Sequence, residues 1–155
     1  MGKSTKYEGV LAYLGRPEMI DAIVANKMEE KKQWHDLALG ITANMGGERV
    51  QSSGATSKMA DAINKCVDVE REIDELVDKL IATKKEIIST LEQLDNPTEY
   101  RLLHDKYIKY IELKDIAVRH GKDYNWAKQT HWRALGHVQE ILDAKQGGEM
   151  TDGTD

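Results

Sequence analysis

The sequence predicts an all-α protein: a long antiparallel helical hairpin of coiled-coil character, followed by a small three-helix helix-turn-helix domain. Three observations carry this expectation. An apolar repeat stepping alternately by four and three residues runs from Ser57 to about Leu94. Asn96-Pro97 then stops that helix and starts another, because the residue before a proline resists helical φ/ψ and Asn is a fitting cap. Finally, Ile116-Ala117-x-x-x-Gly121 places a small residue four positions before a glycine. Two helices crossing steeply need that small residue at their close approach, and the turn needs a residue tolerant of φ > 0. Composition agrees, with 32% charged residues, no phenylalanine and only two prolines.

Taken in order, residues 1–16 read as a flexible N-terminal arm whose apolar points are Tyr7, Val10, Leu11 and Leu14. Gly2-Lys3-Ser4-Thr5 has the ending of a phosphate-binding loop but lacks the upstream glycine and the preceding strand, so it is rejected as one. Pro17 suits a first helical position and Glu18 and Asp21 suit the positive end of a helix, which continues to about Asn44. Its apolar stripe of Ile20, Val24, Trp34, Ala38, Ile41 and Met45 is interrupted by Lys27 and Lys31, whose methylenes can lie along a partner helix. The stretch MGGERVQSSGATS, residues 45–57, is expected to be a loop. Gly46, Gly47, Glu48, Arg49 and Gln51 are its candidate partner-binding or anion-binding residues, with an ordinary connector as the alternative.

The expected seam of the longest helix is Met59, Ile63, Cys66, Glu70, Ile73, Val77, Leu80, Lys84, Ile87, Leu91 and Leu94. One helix cannot bury such a stripe alone. Either the 17–44 helix folds back on it, completing a hairpin over 17–95, or a second copy of the chain forms a homodimer through the 57–94 seam. Glu70 and Lys84 would then help to set register, and Cys66 is read as a small buried residue.

Residues 96–145 form the expected second domain, with helices near 97–110, 113–120 and 123–144. Tyr100, Leu103, Tyr107 and Ile111 should pack inward from the first, and Trp126, Ala134 and Val138 from the last. The outward positions in the first turns of the last helix are Tyr124, Asn125, Lys128 and Gln129, with Trp132 and Arg133 one turn later. Asn and Gln can pair with adenine and Lys can donate to guanine, so these six are the candidate DNA-binding residues. Charge is segregated accordingly. Residues 1–96 hold thirteen Lys/Arg against seventeen Asp/Glu, whereas 97–145 hold nine against seven and four of the five histidines. The excess is mild, which implies modest, salt-dependent affinity. Residues 146–155 read as a disordered acidic tail.

Tyr100-Arg101-Leu102-Leu103, Asp115-Ile116-Ala117, Gly121 and the 126–135 stretch resemble the C-terminal part of the ArpU/RinA-like late transcriptional regulators of phages, and of a related phage family of undefined function. The run from Gly46 to Gly54, GGERVQSSG, followed by Lys58-Met59-Ala60-Asp61-Ala62, is similar to a recurrent signature of the second family. The resemblance covers about Lys27 to Ile141. It implies a domain like region four of sigma factors, base contacts at Tyr124, Asn125, Lys128 and Gln129, and double-stranded DNA as a partner alongside host RNA polymerase at the bacterial nucleoid. Ala127 and Thr130 stand where such motifs usually carry branched aliphatics, and Asp123 where serine is usual. A thinner core under the recognition helix and a carboxylate near DNA phosphates imply a weak reader.

Other functions find little footing. No HExxH, no Cys/His cluster and no complete phosphate loop occurs, so no catalytic residue, metal or cofactor is expected and the chain is read as a non-enzyme. A single cysteine, no membrane-length apolar run and no signal-peptide pattern at MGKSTKYEGV suggest the cytoplasm. The competing expectation is a helical protein-interaction module, in which the hairpin docks a partner and the helix-turn-helix domain does not read DNA.

Overall fold

The computed structural model describes residues 6–45 and 52–152. Six helices follow one another, and no strand occurs among the described residues: α1 (Glu8–Leu14), α2 (Arg16–Met45), α3 (Ser52–Leu91), α4 (Pro97–Tyr107), α5 (Leu113–Arg119) and α6 (Tyr124–Asp152). None of them is long and apolar enough to cross a membrane. The candidate loop residues Gly46, Gly47, Glu48, Arg49 and Gln51 lie outside the described residues. The rest of the expected 45–57 loop differs from the expectation, since α3 already begins at Ser52.

Contacts divide the chain into two compact units, residues 20–80 and residues 1–19 with 81–155. The contact boundary therefore falls fifteen residues before the expected one at Asn96, inside α3, and the N-terminal segment belongs with the C-terminal helices. Its helix is the reason. Val10 and Leu14 of α1 are fully buried in the same core as Leu102, Leu103, Ile116 and Val138, so the described part of the expected arm, residues 6–16, is not loose. A buried side chain of this kind contributes roughly 1.5–3 kcal/mol, enough to hold a seven-residue helix that would not form alone. Pro17 next to it cannot donate to the Tyr13 carbonyl. Arg16 Nε does so instead at 3.2 Å, while its guanidinium pairs with Glu86. Tyr13 Oη and Thr90 Oγ1 meet at 2.7 Å and tie the same segment to the end of α3.

Within the unit of residues 20–80, α2 and α3 are joined by Lys27–Glu72 at 2.7 Å, Lys31–Glu70 at 3.6 Å and a Cys66 Sγ contact to the Lys31 carbonyl at 3.7 Å. Lower numbers on α2 meet higher numbers on α3, the pattern of helices running in opposite directions. The hydrogen bond to Glu72 holds the Lys27 ammonium above the usual lysine range. Up to Ile87 the seam of α3 differs from the expected one at alternate positions, while Leu91 beyond it is fully buried as expected. Met59, Cys66, Ile73, Leu80 and Ile87 do face inward, but between them the inward residues are Ala62, Val69, Leu76 and Thr83. Ile63 and Val77 are exposed at 46% and 37%, and Glu70 is exposed as well. A heptad allows its second apolar position at +3 or +4. The +3 set is wholly uncharged, whereas the +4 set would bury Glu70 and Lys84 without compensation.

The core of the other unit is built on α6. Ala134, Leu135 and Val138 are fully buried against α4, α5, α1 and the last turns of α3. Gly136 on this helix faces Tyr7, where an added Cβ would stand 3.3 Å from the hydroxyl. Asn96 caps α4 by accepting from the amides of Thr98 at 2.9 Å and Glu99 at 3.3 Å, with Pro97 in the first turn. Tyr110, between α4 and α5, has φ +61, an unusual conformation for an aromatic residue, and Lys84 of α3 lies 5.0 Å above its ring. At the other end, α6 runs on to Asp152 rather than giving way to a disordered tail at 146.

Two substitutions test these assignments. Leu14→Ala should destabilise the protein by about 2–5 kcal/mol in chemical denaturation, whereas truncating a side chain on a loose arm would leave the midpoint unmoved. Val69→Ala should cost roughly 2 kcal/mol and Ile63→Ala at most about 0.5 kcal/mol, the reverse of the ranking that the +4 seam requires.

Candidate nucleic-acid interface

The turn between α5 and α6 follows directly from Gly121. The Lys122 amide donates to the Ala117 carbonyl at 2.9 Å and the Gly121 amide to the Val118 carbonyl at 3.0 Å. Together these form a Schellman closure, which needs a left-handed residue just past the helix, and Gly121 has φ +66. Asp123 then starts α6, its Oδ1 accepting from the Trp126 amide at 2.8 Å. Ile116 and Ala117 are buried on α5, as expected from the small-residue spacing.

Helical periodicity divides the first turns of α6 into two faces. Ala127, Thr130, His131 and Ala134 are buried. Opposite them, Tyr124, Asn125, Lys128 and Gln129 are all exposed. They stand in two i,i+4 columns, Tyr124–Lys128 and Asn125–Gln129, and Lys128 Nζ lies 4.6 Å from the centre of the Tyr124 ring. The structure brings these four together. The other two candidates are engaged within the chain. Trp132 is half-buried, its ring 5.8 Å from that of Tyr7 and 5.5 Å from His131. Arg133 directs Nε to Glu99 Oε1 at 3.1 Å, although most of its side chain remains exposed.

Two polar arrangements beneath this surface have no counterpart in the sequence reading. Glu99 is 1% exposed, yet its carboxylate meets Arg133 on one oxygen and His137 Nδ1 on the other at 2.7 Å. It also sits in the first turn of α4, where the helix dipole favours a negative charge. The second is the buried pair Tyr107 and His131. The hydroxyl lies 2.6 Å from Nε2, and the rings are near parallel at 5.8 Å. His131 is itself buried. Burial, reinforced by nearby Lys106, pushes its pKa down to about 4, so it is neutral at pH 7. Burial, with a smaller contribution from Glu18, pushes the Tyr107 hydroxyl up. Asn-Pro-Thr-Glu does announce a capped helix with an acid in its first turn. Nothing local announces that Arg133 and His137, some forty residues on, will close over that acid.

Every buried side-chain nitrogen or oxygen among the described residues has a partner. No group of three or more His, Cys, Asp or Glu among them is placed to hold a metal ion. No protein-family model, curated protein or solved structure matches the chain.

The buried histidine makes stability depend on pH. Its folded pKa of about 4 lies below the unfolded value of 6.5, so the unfolded state binds the proton first as pH falls. Stability should be full above pH 6.5 and decline toward pH 4, by on the order of 3 kcal/mol from this residue. Denaturation midpoints at several pH values check this, and His131→Gln should flatten the slope between pH 6.5 and 4.

Proposed function

We propose that the chain is a DNA-binding transcriptional regulator of phage or prophage genes. In this reading α4, α5 and α6 form a sigma-region-four-like helix-turn-helix domain, α6 enters the major groove, and α2 with the greater part of α3 forms a helical hairpin. The observation that carries the reading is the coincidence at the start of α6. A Schellman turn at Gly121 and an Asp123 cap lead into a helix whose exposed face is Tyr124, Asn125, Lys128 and Gln129. These side chains match what base edges offer: amides for adenine and an ammonium for guanine or phosphate. Trp132 and Arg133 are assigned a supporting part, since both are held by neighbours in the chain. Asp123 places a carboxylate near DNA phosphates and favours modest affinity, which suits a protein acting with RNA polymerase at the bacterial nucleoid.

Fluorescence anisotropy with duplexes from the gene's own upstream region, repeated across salt concentrations, tests this. Gln129→Ala should weaken the preferred duplex about tenfold and narrow the preference between sequences. Lys128→Ala should weaken all duplexes and flatten the salt dependence by about one ion. Absence of any sequence preference, unaltered by these changes, refutes the proposal.

A second reading has its own support. Ile23, Met28, Leu37, Leu39, Ile63 and Val67, on α2 and α3, are large apolar side chains exposed by 38–59%. A helical module that docks a protein, or pairs with a second copy through α3, would use such a surface. Solution mass, together with polymerase pull-down by the full chain, separates this from a monomeric DNA reader.

A further inference from the structure

Between α4 and α5, with no residue of α6 in its lining, lies an open cleft of about 450 Å³. Its charged lining is Arg101, Lys109 and Arg119 against one acid, Asp105, with His104 and His120 beside them. Two of the cations reach toward Asp105 only loosely, Lys109 at 3.6 Å and Arg119 at 3.8 Å. Those separations are too long for good charge-assisted hydrogen bonds and leave donors of both side chains available. Arg101 makes no ion pair within 4 Å among the described residues and is exposed. Three cations and one carboxylate leave the lining with an excess of two positive charges.

We propose that this cleft is a phosphate site, taking the dianionic phosphate of a free monoester, held by Arg101, Lys109 and Arg119. The charge complement is two against two. Guanidinium groups suit the bidentate geometry of phosphate oxygens, and Lys109 adds a point charge. Burial first, and Lys109 second, hold the His104 pKa below the usual value despite Asp105 close by. The imidazole is thus a neutral donor rather than a further cation. The Tyr100 and His104 rings, tilted at 5.7 Å, form one wall where an organic group attached to the phosphate can rest. The cleft volume falls within the range of small-ligand sites, large enough for a molecule the size of a mononucleotide.

The phosphodiesters of DNA offer related oxygens with one negative charge each, so the test carries both sources. The full chain, labelled with nitrogen-15, is titrated with inorganic phosphate, with adenosine 5′-monophosphate and with a DNA duplex, each against sodium chloride at matched ionic strength. Both free phosphates should shift amides of Arg101, His104, Asp105, Lys109, Arg119 and His120. Arg119→Gln should weaken the response at least tenfold. Asp105→Asn, which removes the competing carboxylate at constant size, should tighten it several-fold, and a weaker response in that variant overturns the proposal. Shifts no larger than with chloride, or an unchanged response in Arg119→Gln, overturn the proposal. A cleft that responds to duplex and not to the free phosphates also overturns it, assigning the site to the DNA backbone. None of these readouts depends on whether α6 prefers a sequence, so the two proposals fail separately.

Discussion

The constraint on which the C-terminal half depends is that α6 must find cover for one whole face. The buried residues of its front half are small: Ala127, Thr130 and Ala134. Small residues let α4 and α5 approach closely, but they bury little area themselves, so the stabilisation has to come from larger groups opposite them. Leu102, Leu103 and Ile116 supply it from α4 and α5, while Val10, Leu14, Ile87 and Leu91 supply it from α1 and α3. The three helices α4, α5 and α6 are therefore incomplete by themselves. The segment around α1 and the end of α3 form part of the same core, and the contact boundary at residues 19 and 81 records that.

Polar groups reinforce this packing with direction. Glu99 binds Arg133 and His137, fixing the rotation of α6 relative to α4, and Tyr107 with His131 adds a second fixed point two residues before Arg133 on α6. Both carry a cost that apolar residues would not, since a charge or a hydroxyl is withdrawn from water. Each is met by a partner, and together they set which residues of α6 face outward. Arg133 is drawn toward α4, and Tyr124, Asn125, Lys128 and Gln129 remain on the open side.

Local signals in the sequence were legible where local physics decides the outcome. Asn96-Pro97, Gly121 and Asp123 each act within a few residues of themselves, and all three do in the structure what their chemistry implies. The α3 seam was half legible. Its seven-residue period is correct, but Ile63 and Val77, larger than Ala62 and Thr83, favour the +4 positions, whereas the charges at Glu70 and Lys84 favour the +3 positions that the structure uses. Long-range burial was not legible. A seven-residue helix at Glu8–Leu14 has too few turns to announce itself, and it exists through contacts with residues more than a hundred positions away. The burial of Glu99 and His131 is of the same kind, because a titratable residue reveals its surroundings only once its distant partners are placed.

Tyr110 carries a practical implication for anyone dividing this chain. A tyrosine with positive φ is held there by what surrounds it, and part of what surrounds it is Lys84, contributed by the preceding helix. The linker between α4 and α5 thus borrows its shape from outside the segment it connects. A fragment cut at the Asn96-Pro97 junction, the natural choice on sequence grounds, would discard that lysine along with Ile87 and Leu91. The compact unit that holds these two helices is not contiguous: it combines the N-terminal nineteen residues with everything from Ile81 onward.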